Sequence, residues 1–124
     1  MTRTPTAART PEEITSLVVE RVNAGDPDGV AALYEPEAVL AYPLGREVRG
    51  RAAIRDAWAR LIAGGMRLTP EPPLPTARVG DLALTSTPPR DGAGARAQVV
   101  RRQSDGTWLR LIDVPEFTAT GPGA

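Results

Sequence analysis

Four prolines fall within the seven residues 69–75, TPEPPLP, and they constrain the chain more than any other feature. Proline fixes φ and offers no N–H, so no helix runs through such a segment and no central strand is built on it. An edge strand or a bulge is the expectation there. Helix punctuation lies before this tract and strand patterning mostly after it. The order is helices first, one hairpin around a third helix, then a strand meander. That order predicts an α+β fold, with helices packed on one face of a curved antiparallel sheet.

The first helix has a clear start. Thr10 is placed as N-cap, Pro11 takes the first turn and Glu13 completes a capping box. Ile14, Leu17, Val18 and Val22 then fall on one helical face, and Asn23-Ala24-Gly25 ends it. Asp26-Pro27 caps a second, short helix, with Val30, Leu33 and Tyr34 facing inward and Pro36 as its stop. Residues 38–42 read as a strand, Pro43-Leu44-Gly45 as a turn, and residues 47–49 as the hairpin partner. Gly50 opens the third helix, whose Ile54, Ala57, Trp58, Leu61 and Ile62 keep helical spacing up to Gly64-Gly65. Residues 66–69 and 77–87 are expected as strands and 88–94 as a loop. Residues 95–103 and 107–114 form a hairpin across Ser104-Asp105-Gly106. One domain is expected over residues 10–117, with residues 1–9 and 118–124 disordered.

Composition narrows the chemistry. The 124 residues include fifteen Arg and no Lys against fifteen Asp plus Glu, and neither His nor Cys. A neutral chain has no global attraction for nucleic acid or acidic lipid. Without Cys or His there are no disulfides, no thiolate nucleophile and no common metal-ligand set, so no metal or cofactor is expected. Acid–base chemistry falls to Asp, Glu, Tyr or Arg. The N-terminal residues have no apolar signal-peptide core and no run approaches a membrane span, which suggests a cytoplasmic protein that does not engage membranes.

In the last strand, strict alternation sets Leu109, Leu111 and Asp113 on one face and Trp108, Arg110 and Ile112 on the other. Both faces are largely apolar, so both are expected to be covered: one by the helices, the other by a second copy of the chain, with Trp108, Arg110 and Ile112 in the homodimer contact.

Asn23-Ala24-Gly25-Asp26, Asp28-Gly29, Ala32-Leu33, Pro43, Gly45, Glu47, Gly50 and Ala52-Ala53-Ile54-Arg55 resemble, in order and spacing, ketosteroid isomerase and the SnoaL-like branch of the nuclear transport factor 2-like fold. The resemblance covers most of residues 10–115. It implies a cone-shaped cystatin-like fold, a deep apolar pocket between helices and sheet, and commonly a homodimer. It does not carry over the isomerase chemistry. Tyr42 stands where the family has its Asp base, and a phenol with a pKa near 10 is a poor base at neutral pH. Val18, or Arg21 with a different gap, stands where the family has its oxyanion Tyr. Gln98 stands at the family's protonated Asp, where its amide can still donate. Tyr34 and Trp58 match the aromatics behind the family's Tyr.

Asp113 is then the candidate acid or base, with Leu109 and Leu111 beside it and Val18, Leu40, Tyr34 and Trp58 as pocket wall. Gln98 and Tyr42 are candidates for hydrogen bonding the polar part of a small, mostly apolar organic ligand. The competing reading of Asp113 is a structural partner for Arg96, Arg101 or Arg110, because buried acids are usually paired. The functional alternatives are a cofactor-independent isomerase, cyclase or hydrolase, and a non-catalytic dimerisation or carrier domain.

Overall fold

The structure is a computed structural model and describes residues 7–43, 45–89 and 94–117. Its elements run α1 (Pro11–Asn23), α2 (Pro27–Ala31), β1 (Tyr34–Leu40), β2 (Val48–Arg49), α3 (Arg51–Ala63), β3 (Ala77–Val79), β4 (Leu82–Thr87), β5 (Ala95–Arg102) and β6 (Trp108–Phe117). The expected disorder of residues 1–6 and 118–124, Leu44 of the expected turn and residues 90–93 of the expected loop lie outside the described residues.

Both N-caps form as their side chains dictate. The Thr10 hydroxyl accepts from the Glu13 N–H while Glu13 reaches back to the Thr10 N–H, and Asp26 accepts from the Gly29 N–H. Ile14, Leu17, Val18 and Val22 of α1 are buried, as are Ile54, Ala57 and Trp58 of α3. Gly50 precedes α3 at φ 91°, a conformation that glycine adopts without a Cβ penalty.

The six strands form one mixed sheet in the order β2-β1-β6-β5-β4-β3. Only the β1–β6 pairing is parallel; the neighbours are antiparallel. The helices pack against one face, giving the α+β fold that the sequence order predicts.

Local departures have physical causes. Tyr34 is not the end of the second helix; it opens β1, because its backbone pairs with Arg110 of β6. Pro36 lies where the β1–β6 register shifts between Tyr34 and Val39, a place that requires no ladder N–H. Residues 66–76 form no strand. They are an irregular strap tied down at separate points: Asn23 donates to the Leu68 carbonyl and accepts from its N–H, both at 2.8 Å, and the Leu74 N–H donates to the Ser86 carbonyl at 2.9 Å. The expected strand 77–87 is a hairpin, β3 and β4, turning at Gly80-Asp81. The packed region also begins before Thr10, since Ala8 is buried and its carbonyl accepts from the Trp108 N–H.

The largest correction concerns β6. Val99 pairs with Ile112 but Val100 pairs with Arg110, so Leu111 is an extra, bulged residue. A bulge reverses the phase of alternation. Trp108 and Arg110 therefore face the helices, at 2% and 4% exposure, and Asp113 faces them too. Leu109 and Leu111 do not flank Asp113; together with Ile112 they belong to the outer face. Trp108 and Arg110 are thus no part of an outer contact surface, whereas Ile112 is exposed on it.

Candidate functional site

Between α1, α3, the strap and the inner sheet face lies a cavity of about 440 Å³. Its apolar wall comes from Val18 of α1, Leu40 of β1, Trp58 and Leu61 of α3, and Met66 and Leu68 of the strap. Tyr42, Gln98, Arg110 and Asp113 add polar groups to the lining, and Arg67, Glu71, Arg96 and Glu116 add further charges.

The polar floor follows from strand register. Thr85 of β4 pairs with Gln98 of β5, Gln98 with Asp113 of β6, and Asp113 with Leu40 of β1. Directly paired residues share a face with Cβ atoms about 5 Å apart, so the side chains of one row can bond in series. They do: the Thr85 hydroxyl donates to Gln98 Oε1 at 2.8 Å, and Gln98 Nε2 donates to Asp113 Oδ1 at 3.3 Å.

The two carboxylate oxygens of Asp113 are held differently. Oδ2 accepts from the Tyr34 hydroxyl at 2.5 Å and from Arg110 Nη1 at 3.1 Å. Tyr34 is itself fixed by Trp58 Nε1, which donates to its oxygen at 3.1 Å, and Arg110 Nη2 donates to Thr15 at 3.4 Å. Among the described residues, Oδ1 receives only the long bond from Gln98. One oxygen is anchored; the other keeps acceptor capacity on a residue that lines the cavity.

Burial pushes the Tyr34 phenol well above its ordinary range, and the Asp113 charge pushes it further, against the opposing effect of Arg110. Tyr34 therefore stays a neutral donor. For Arg110, burial alone disfavours the cation, but Asp113 and Tyr34 outweigh it and raise its pKa. Asp113 thus has a firmly charged partner, the arrangement that a buried carboxylate requires.

Of the residues expected at the site, Asp113, Gln98, Tyr42, Val18, Leu40 and Trp58 meet around the cavity. Tyr34, fully buried, sits behind Asp113 and is not part of the lining. Leu109 and Leu111 are absent from the site because of the bulge. Arg110, expected on the outer face, is the carboxylate's partner. Arg96 instead pairs with Glu71 of the strap, and Arg101 pairs with Glu35. Sequence reasoning missed Thr15, Thr85 and the Glu71–Arg96 pair. Thr85 stands beside Gln98 through a β4–β5 register one residue away from the one the expected strand bounds imply; Glu71 sits in a tract with no periodicity to read. Among the described residues, no group of three His, Cys, Asp or Glu could hold a metal ion, and no helix is long and apolar enough to cross a membrane.

This architecture is the cystatin-like, nuclear transport factor 2-like fold. A nuclear transport factor 2-like protein from Novosphingobium aromaticivorans superposes with a TM-score of 0.68 at 18% identity, over 90% of this chain and 82% of that one. A ketosteroid isomerase-like protein from Erwinia carotovora atroseptica gives 0.65 at 14% identity, over 83% and 89%. Within that fold, the chain belongs to the SnoaL-like domain family, whose model matches residues 16–118. It is also 34% identical over 106 residues to the epoxide hydrolase LasB of Streptomyces lasalocidi. The match takes in 85% of this chain but only 36% of LasB, so the chain spans about a third of that relative's length.

Proposed function

We propose that this domain binds a small, mostly apolar, oxygen-bearing organic molecule and catalyses acid–base chemistry on it without a cofactor, epoxide ring opening being the favoured reaction. The observation that carries the reading is the asymmetry of Asp113: Oδ2 is anchored by Tyr34 and Arg110, while Oδ1 keeps acceptor capacity at the floor of a cavity with one apolar wall. A cavity of about 440 Å³ has room for roughly fifteen water-sized atoms at about 30 Å³ each. The likeness to an epoxide hydrolase supports the choice of reaction.

In this scheme Asp113 Oδ1 takes the proton from a water or hydroxyl nucleophile. The nucleophile's lone pair forms a bond to an epoxide carbon as the C–O bond of the ring breaks. The ring oxygen takes a proton from the Tyr42 phenol, and the proton on Asp113 then returns to the Tyr42 oxygen through solvent. The test is Asp113→Asn assayed on a panel of aryl- and alkyl-substituted epoxides, with diol formation and ligand-induced thermal shift both measured. The expected result is turnover lost by about 10²-fold or more with the thermal shift retained, the usual range for a general base. Unchanged turnover removes Asp113 from the mechanism.

A separate proposal, on assembly, rests on the outer sheet face. Register aligns Leu84, Val99, Ile112 and Val39 in one row across four strands, with Leu82 and Leu84 more than 40% exposed. An exposed apolar row of this kind suits a second copy of the chain. We propose a homodimer through it, which a catalytic domain and a non-catalytic carrier or dimerisation domain would share. Absence of turnover across the epoxide panel in the wild-type protein, with thermal shifts present, would favour the carrier.

A further inference from the structure

We propose that Thr85 is a positioning residue: by locking the Gln98 amide it presents a donor beside the Asp113 acceptor, and so selects ligands that carry a hydrogen-bond donor and an acceptor side by side. This rests on the reading of Asp113 as the group that meets the ligand.

An amide has one acceptor oxygen and a nitrogen with two hydrogens, and its two ends occupy nearly the same volume. Shape alone therefore does not decide which end faces Asp113. Asp113, which only accepts, decides it, and the Thr85 hydroxyl, which can donate or accept, holds the amide in place from the other side. The Thr85 hydroxyl donates to Oε1 at 2.8 Å, and the carboxylate accepts from Nε2 at 3.3 Å. Both partners are fixed by the strand register that sets Thr85, Gln98 and Asp113 in one row, and all three are buried. Reversed, the amide would set an oxygen against the carboxylate, which has no hydrogen to offer it.

The hydrogen count then defines the recognition element. One Nε2 hydrogen goes to Asp113 Oδ1, and the second has no partner among the described residues. Gln98 and Asp113 both line the cavity. The floor thus offers an N–H donor and a carboxylate acceptor 3.3 Å apart. The complementary ligand carries an O–H or N–H next to a carbonyl, ether or epoxide oxygen: a hydroxy ketone, a hydroxy epoxide or a carboxamide. A ligand with an acceptor alone leaves the remaining acceptor capacity of Asp113 Oδ1 unused, a loss of about one hydrogen bond.

Thr85→Val removes the hydroxyl at nearly constant volume, and Thr85→Ser keeps it. The first readout needs no ligand: the side-chain amide signals of Gln98 in ¹⁵N–¹H spectra. In the wild type and in Thr85→Ser, two well-separated proton signals with slow solvent exchange are expected. In Thr85→Val, exchange should quicken by about tenfold, the equivalent of one lost hydrogen bond. The second readout compares dissociation constants for phenylacetamide, which offers donor and acceptor, and phenylacetone, which offers only the acceptor. The amide should bind about tenfold more tightly to the wild type and to Thr85→Ser, with the preference gone in Thr85→Val. Gln98 signals in Thr85→Val identical to wild type would overturn the proposal, as would an undiminished preference for the amide. Neither result touches the assignment of Asp113, which stands or falls with the turnover of Asp113→Asn. Thermal denaturation of both Thr85 variants separates these outcomes from simple unfolding.

Discussion

At the scale of single residues, the site is a problem in saturating a buried carboxylate. Tyr34, Arg110 and Gln98 supply its donors, and two of the three bind the same oxygen. Tyr34→Phe removes the shortest of these bonds and should cost about 1–3 kcal/mol of stability at neutral pH, read from urea unfolding. The same residue gives a signed pH dependence. The Tyr34 pKa is raised on folding. Below the ordinary phenol value near 10, both folded and unfolded chains hold the proton and the contribution is complete. Above it, the unfolded chain ionises while the folded one does not, so stability falls as pH rises. Urea midpoints at pH 8 and pH 10.5 should diverge in the wild type and diverge less in Tyr34→Phe. Gln98 and Asp113 were each named as candidates, but their meeting was not legible: an unbroken register from the turn at Ser104-Asp105-Gly106 sets Ile112 opposite Gln98, and the bulge at Leu111 brings Asp113 there instead. Arg110 was legible as one of three candidate partners of Asp113 and is the one that pairs with it, but its inward direction was not, since nothing in its own neighbourhood reveals the bulge.

At the scale of elements, helices and strands differed in how plainly they were written. Thr10 and Asp26 mark their helix starts because capping is local chemistry, complete within four residues. Strand β1 begins at Tyr34 through pairing with Arg110, a partner 76 positions away, and no local signal encodes that. The bulge at Leu111 hides in a tract that is apolar in both phases and contains no glycine to mark it, so strict alternation put Leu109 and Leu111 on the wrong face. The strap of residues 66–76 was read as partly a strand for a related reason: its order comes from fasteners elsewhere in the chain. Asn23 is the clearest of these, holding both backbone groups of Leu68. Asn23→Ala should lower stability by about 1–2 kcal/mol, with faster amide hydrogen exchange at Leu68 and little change in β5 and β6.

At the scale of the whole molecule, the two faces of the sheet have different work. The inner face carries the carboxylate and its bonded row; the outer face carries Leu84, Val99, Ile112 and Val39 in register. Ile112→Arg places a charge in the middle of that row without touching the cavity lining. Light scattering coupled to gel filtration should find the wild type at twice the mass of the chain and Ile112→Arg at the monomer mass, with the circular dichroism spectrum unchanged. A monomeric wild type would discard the homodimer and leave the cavity assignment intact.

The parallel contact between β1 and β6 has one more effect, on the order of events during folding. It joins the first strand of the sheet to the last, and Tyr34 meets Asp113 at a sequence separation of 79. Contacts between distant segments require loop-closure entropy before they return any energy, which slows folding in proportion to their share of the structure. Helices α1 to α3 can form early from neighbouring residues, whereas the carboxylate acquires its phenol and guanidinium only once β6 has docked. A nascent chain leaving the ribosome would therefore carry a nearly complete helical layer while its reactive centre did not yet exist.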